Sequence, residues 1–239
     1  MVLDPRHDPL GQAALAYVRG DRQATIAVRS DLALDDILPA DYLFRPLKGM
    51  PAWERQALQA CRGRVADIGA GVGSHALALQ AQGLPVTALD ISPGAVEVMQ
   101  ARGVLEARLQ SVWDWEPGPV YDTLLLMMNG IGLVGDLRGL NRFLERAQAW
   151  LAPGGQILLD SSDIRYLYDE ADVTLPLPTD RYYGIVRYQM SFKQYVGEPF
   201  DWLYVDRVRL HKHATHFGYR MEVLETGGHY EYLARLRRA

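Results

Sequence analysis

The sequence predicts an α/β fold built on a mostly parallel sheet with helices on both faces. Between residues 51 and 160, short β-rich runs alternate with segments at helical spacing, the rhythm of parallel strands joined by crossover helices. The run from Tyr121 to Met128 is almost wholly apolar, as a strand buried on both faces must be. A glycine-rich turn, Gly69-Ala70-Gly71-Val72-Gly73, joins a strand to the next helix. There the backbone can turn sharply and a ligand can approach the free N–H groups of the helix end.

In chain order, a helix is expected around Gly11 to Val18 and a short strand over Ala24 to Val28. An acidic loop is expected to follow, ending at Pro39. Pro51 opens the next helix, because its missing N–H is not needed there. Strands follow at Arg64 to Ile68 and Pro85 to Asp90, with a helix from His75 to Gln80 between them. Ser92-Pro93 caps a helix carrying Ala95, Val96, Val98 and Met99. Arg108 to Val112 reads as a third strand and Tyr121 to Met128 as the fourth. A helix over Leu140 to Leu151 is expected to end at Pro153-Gly154-Gly155, with a fifth strand over Gln156 to Asp160. Tyr183 to Tyr195 then alternates in a two-residue period and, with Phe200 to Val205, reads as an inserted antiparallel hairpin. A helix near Asp206 to Phe217 precedes two strands, Arg220 to Leu224 and Tyr230 to Leu236, joined through Gly227-Gly228. The expected organisation is one domain over 1–239: a cap segment (1–50), a cofactor-binding core (51–164), an inserted hairpin or substrate lid (165–202) and a C-terminal helix and hairpin (203–239).

The bulk properties narrow the function classes. The formal net charge of −4 disfavours generic nucleic-acid binding. The single cysteine, Cys61, rules out a disulfide within the chain and suits a reducing compartment. No signal pattern opens the sequence and no apolar run spans a bilayer, so a cytoplasmic protein without membrane contact is expected. No metal is expected.

The glycine turn admits two ligand readings. A dinucleotide turn requires a third glycine three positions after Gly71, where Ser74 stands; the third glycine falls at Gly73 instead. Asp67 at the strand end also repels a diphosphate. A cationic, phosphate-free ligand matches better. Asp90, at the end of the next strand, can accept two ribose hydroxyls or act as a helix cap.

With these residues the chain resembles the class I S-adenosylmethionine-dependent methyltransferases. Asp67-Ile68-Gly69-Ala70-Gly71-Val72-Gly73 is similar to the family's first motif, and Leu89-Asp90-Ile91-Ser92 to its second. Tyr121-Asp122 and Leu151-Ala152-Pro153-Gly154-Gly155 also resemble family features. The resemblance implies a Rossmann-like seven-stranded sheet with an antiparallel last strand. The N-terminal cap and a hairpin after the fifth strand are additions to it. S-adenosylmethionine is the implied cofactor. Gly69, Ala70, Gly71 and Gly73 would line its methionyl part, and Asp67 would sit near its amino group. Asp90 would hold the ribose, and Ile91, Ser111, Val112 and Trp113 would surround the adenine. Met128 and Asn129 would lie beside the sulfonium, and Arg45 would pair with the carboxylate.

The methyl acceptor is not written in the sequence. No general base stands out; His75, Asn129 and Asp163 are the candidates, with His229 and several tyrosines behind them. Most of the 13 tyrosines follow Arg165, which suits either a small-molecule acceptor site or packing against a second subunit in a homodimer. A methyltransferase acting on a small molecule is expected. Methylation of protein or RNA, and cofactor binding without catalysis, are the alternatives.

Overall fold

The computed structural model describes residues 1–32, 35–118, 120–169, 176–228 and 230–239. His229 therefore lies outside the described residues.

The main sheet has seven strands in the order β11-β12-β7-β6-β3-β4-β5. These are β3 (Val65–Ile68), β4 (Val86–Asp90), β5 (Ala107–Leu109), β6 (Tyr121–Leu126), β7 (Leu151–Ser162), β11 (Tyr219–Thr226) and β12 (Glu231–Arg238). Strands β3 to β7 pair in parallel, and β12 runs antiparallel to both β7 and β11. This is the expected seven-stranded α/β sheet with its antiparallel last strand. Every residue of β3 is buried, because helices cover both faces of the sheet. One face packs Leu140, Phe143, Leu144, Ala147 and Trp150 of α6 (Leu137–Trp150). The other packs residues of α3 (Ala52–Ala60), α4 (Ser74–Ala81) and α5 (Pro93–Ala101), including Leu58, Leu79 and Met99.

Several boundaries differ from the sequence reading. Helix α6 starts three residues earlier than expected, because the Asp136 side chain accepts from Gly139 N at 2.7 Å and caps it. The helix stops at Trp150, and Pro153-Gly154-Gly155 lies inside β7. The third strand is only Ala107–Leu109; the chain then forms a 3₁₀ turn at Val112–Asp114, capped by Ser111.

The largest difference concerns the two accessory segments. The expected acidic loop contains a strand, β2 (Asp36–Pro39), paired with β1 (Thr25–Ser30). Strand β1 also pairs antiparallel with β8 (Ile185–Phe192), which pairs with β9 (Tyr195–Val196) and β10 (Phe200–Leu203). The N-terminal segment and the insertion therefore build one second sheet in the order β10-β8-β1-β2, with β9 beside β8. Backbone pairing between residues some 160 positions apart leaves no local signature in sequence, so each half was readable only as a separate piece. Helix α1 (Pro9–Val18), which also contacts the short helix α2 (Ala40–Leu43), joins this sheet to the main domain by packing on α5.

Candidate active site

The site lies where the strand order reverses, at the carboxyl ends of β3 and β6, the usual ligand position in an open α/β sheet. A cleft opens there. Its walls include Asp67, Gly69 to Val72, Met127, Met128, Arg45 and His75. Asp67 is the penultimate residue of the buried strand β3, and its side chain lines the cleft with almost no access to water. Burial pushes it up to about 6, against the opposing charge of His75. Its Oδ2 has no hydrogen-bond partner. A buried acceptor left open in this way asks for a cationic or N–H donor from a ligand.

Gly71, with φ of 55°, turns its N–H toward β4 and donates to Asp90 Oδ2 at 2.8 Å. Asp90 Oδ1 accepts from Ser92 N at 2.9 Å. Two backbone donors thus fix the carboxylate while each oxygen keeps lone-pair capacity for a hydroxyl. Burial raises this group as well, to about 6, with the nearby Asp8 charge acting in the same direction. Gly73 does not line the cleft. A Cβ there would lie 2.7 Å from Val104 and 3.0 Å from Met99, so its role is close packing of α4 against α5.

On the adenine side of the expected ligand, Ile91 is exposed and Val112 is buried in the main core. Ser111 is buried and accepts from Trp113 N at 3.2 Å, capping the 3₁₀ turn. Trp113 carries the Arg142 guanidinium 4.6 Å from its ring centroid.

At the end of β6 the backbone adopts left-handed conformations at two consecutive non-glycine residues, Met128 (φ 66°) and Asn129 (φ 54°). Such residues cost about 1–3 kcal/mol each and gather at functional sites. The turn is held by Ser162 Oγ donating to Asn129 Oδ1 at 2.8 Å and by Gly130 N donating to Asp160 Oδ1 at 3.3 Å. Asp160 is buried, and burial lifts its carboxyl to about 6. Asp163 stands further out; its Oδ1 accepts from Tyr183 OH at 2.7 Å and from Arg165 N at 3.0 Å.

The structure also supplies a partner that the sequence reading missed. Arg45 was expected to pair with a ligand carboxylate, but its Nη2 donates to both oxygens of Glu54 at 2.5 and 2.6 Å. His75 Nε2 meets Glu54 Oε2 at 2.9 Å, and all three side chains are buried. Burial pushes the Glu54 carboxyl up, but the His75 hydrogen bond and the His75 and Arg45 charges outweigh it and hold the group below its usual range. Glu54 sits in the first turn of α3, where an acid reads as ordinary helix-end chemistry. Its burial is the signal, and burial is not visible in a sequence. Arg45 keeps one buried donor, Nε, without a partner.

An open carboxylate oxygen at Asp67 and a fixed carboxylate at Asp90 suit S-adenosylmethionine, whose ammonium and ribose hydroxyls supply donors to both. Among the described residues no group of three or more His, Cys, Asp or Glu side chains is arranged to hold a metal. No helix of the described residues is long and apolar enough to cross a membrane.

Comparison with known proteins agrees with this geometry. The family profile described as a methyltransferase domain matches residues 43–222. A SAM-dependent methyltransferase from Bacteroides fragilis, solved in complex with S-adenosyl-L-homocysteine, is 40% identical over 100% of this chain and 98% of that one, with a TM-score of 0.92. Two more distant structures share the fold. SAM-bound CalS10, an amino pentose methyltransferase from Micromonospora echinaspora involved in calicheamicin biosynthesis, is 17% identical over 83% of this chain and 96% of that one, with a TM-score of 0.58. The CcbJ methyltransferase from Streptomyces caelestis is 15% identical over 82% and 99%, with a TM-score of 0.61. No curated protein matches the chain. The matched domain and the 40% identity to a SAM-dependent enzyme place this chain in the class I S-adenosylmethionine-dependent methyltransferases.

Proposed function

We propose that this methyltransferase acts in the cytoplasm on a small-molecule acceptor held between its two sheets. The observation that carries this reading is the second sheet lying over the end of β6. Met128 packs in one cluster with Val28 of β1 and Met190 and Phe192 of β8. Next to them, Tyr188 OH and Tyr204 OH meet at 3.0 Å. A roof of apolar side chains with hydroxyl tips suits a small amphipathic molecule. The acidic net charge weighs against an RNA acceptor. The lone, buried Cys61 supports a reducing compartment.

Bound S-adenosylmethionine supplies an electrophilic methyl group on its sulfonium. The chain's own residues then bind and orient. Asp67 takes the ammonium, Asp90 the ribose hydroxyls, and the backbone of Gly69 to Gly71 lies along the methionyl part. Ile91 and Trp113 flank the adenine. The Met128-Asn129 turn, braced by Ser162, faces the reacting centre, and the second sheet keeps water away from it. An amine acceptor in its neutral form needs no base. For an acceptor that must lose a proton, Asp160 is the carboxyl next to the strained turn, closer to it in the hydrogen-bond network than Asp163.

The test is transfer of isotope-labelled methyl from S-adenosylmethionine into fractionated cell extract. Label in the low-molecular-mass fraction is expected. Label confined to protein or RNA would refute the small-molecule reading.

A further inference from the structure

A buried carboxylate outside the cleft joins the N-terminal segment to the cofactor-binding turn. Asp8 is fully buried. Its Oδ1 accepts from Gly11 N at 2.9 Å and caps α1. Its Oδ2 accepts from Ser92 Oγ at 2.8 Å and from Gly94 N at 3.0 Å, at the start of α5. One side chain thus satisfies donors at the N-termini of two helices, 84 and 86 positions away on the α5 side. Ser92 is at the same time the cap of α5, accepting from Ala95 N at 2.9 Å, and its own N–H donates to Asp90 Oδ1 at 2.9 Å. The chain of contacts runs from α1 through Asp8 and Ser92 to Asp90.

The backbones are close enough to make this a fitted joint. A Cβ on Gly94 would lie 2.6 to 2.8 Å from backbone atoms of Gly11. Ahead of Asp8, Leu3 N donates to Ile91 O at 2.9 Å, so the arm also pairs with the residue that follows Asp90. Nothing in the sequence pattern singles out Asp8, which reads there as an acid near a proline.

We infer that Asp8 is a positioning residue for the cofactor, clamping the N-terminal arm against the Asp90–Gly94 turn so that Asp90 is presented to the ribose. This rests on the reading that Asp90 holds the ribose.

Asp8→Asn separates the two roles of the side chain. Asn caps α1 as well as Asp does, but its amide turned toward α5 leaves Gly94 N–H without an acceptor. Measured by calorimetry well below the melting temperature, where a weakened fold alone leaves Kd unchanged, S-adenosylmethionine binding is expected to weaken about tenfold. Hydrogen exchange of residues 90–95 in the cofactor complex is expected to rise. Gly94→Ala keeps the carboxylate and wedges the joint apart; it is expected to show the same two changes, and it serves should Asp8→Asn not fold. Native affinity in either folded variant overturns the clamp, whatever the melting temperature. Asp90→Ala reads the ribose assignment by itself. Native affinity there sinks that assignment, whereas native affinity confined to Asp8→Asn and Gly94→Ala sinks only the clamp.

Discussion

Replacing Asp67 by Asn should make the cofactor-free protein more stable and a poorer binder of S-adenosylmethionine. Burial lifts this carboxyl from its usual 3.8 to about 6. That interval converts to about 3 kcal/mol at about 1.36 kcal/mol per pH unit, the cost of keeping the ionised group in the cleft at pH 7. The sign follows from the direction of the shift. A carboxyl raised by folding is neutral and harmless in acid, and the penalty grows as pH rises from 3.8 through 6. Asn removes the charge with little change of shape, and for a chain of this size about 3 kcal/mol corresponds to about 6–12 °C in melting temperature. Part of this is offset because the amide NH₂ placed where Oδ2 stood also lacks a partner, so a rise of at least about 3 °C is expected at pH 7.5, fading toward pH 4. The binding effect is opposite. Losing a charge-assisted bond to the ammonium costs about 1.5–3 kcal/mol, or about 10- to 100-fold in Kd. Thermal melts with and without S-adenosylhomocysteine, together with calorimetry, measure both effects. Adenosine, which has no ammonium, is the control and should bind wild type and Asp67→Asn alike. A cofactor-free variant that melts below wild type, or one that binds S-adenosylmethionine natively, would refute the reasoning.

Three further outcomes are expected. Asp90→Ala weakens S-adenosylmethionine binding by about 1.5–3 kcal/mol and, unlike Asp67→Asn, weakens adenosine equally; calorimetry with both ligands tests this. Because Asp67 and Asp90 both ionise near 6, cofactor affinity should hold steady above pH 7 and fall as pH drops through 6. A Kd that stays flat from pH 5 to 7.5, by any direct binding assay, contradicts it. Glu54→Gln leaves Arg45 and His75 competing for one neutral acceptor in a buried cluster, which costs about 3 kcal/mol of stability. The folded-state value of Glu54 is held low, so its contribution is present above its usual 4.5 and is lost in acid as pH falls through that lower value. The variant should therefore differ most from wild type in neutral melts, and equal melting temperatures at pH 7 would count against the cluster.

The sequence by itself determined the fold class and the chemistry of the ligand. Both are local. A buried strand, three glycines and a helix start occupy ten consecutive residues, 65–74, and the position of the third glycine, with Asp67 before it, is enough to disfavour a diphosphate. The alternation of strands and helices carries the sheet. Tertiary structure decided what depends on partners distant in sequence. Arg45 reads as a partner for the ligand carboxylate until folding brings α3 against it and Glu54 takes its fork. Asp8 carries no sign of its role in the sequence pattern, and gains its partners when α1 packs on α5. The N-terminal strand and the insertion read as separate pieces until β1 pairs with β8. Periodicity records which face of an element is buried, but not which buried group it meets there. A carboxylate's role is set by that meeting, through desolvation and the donors it finds.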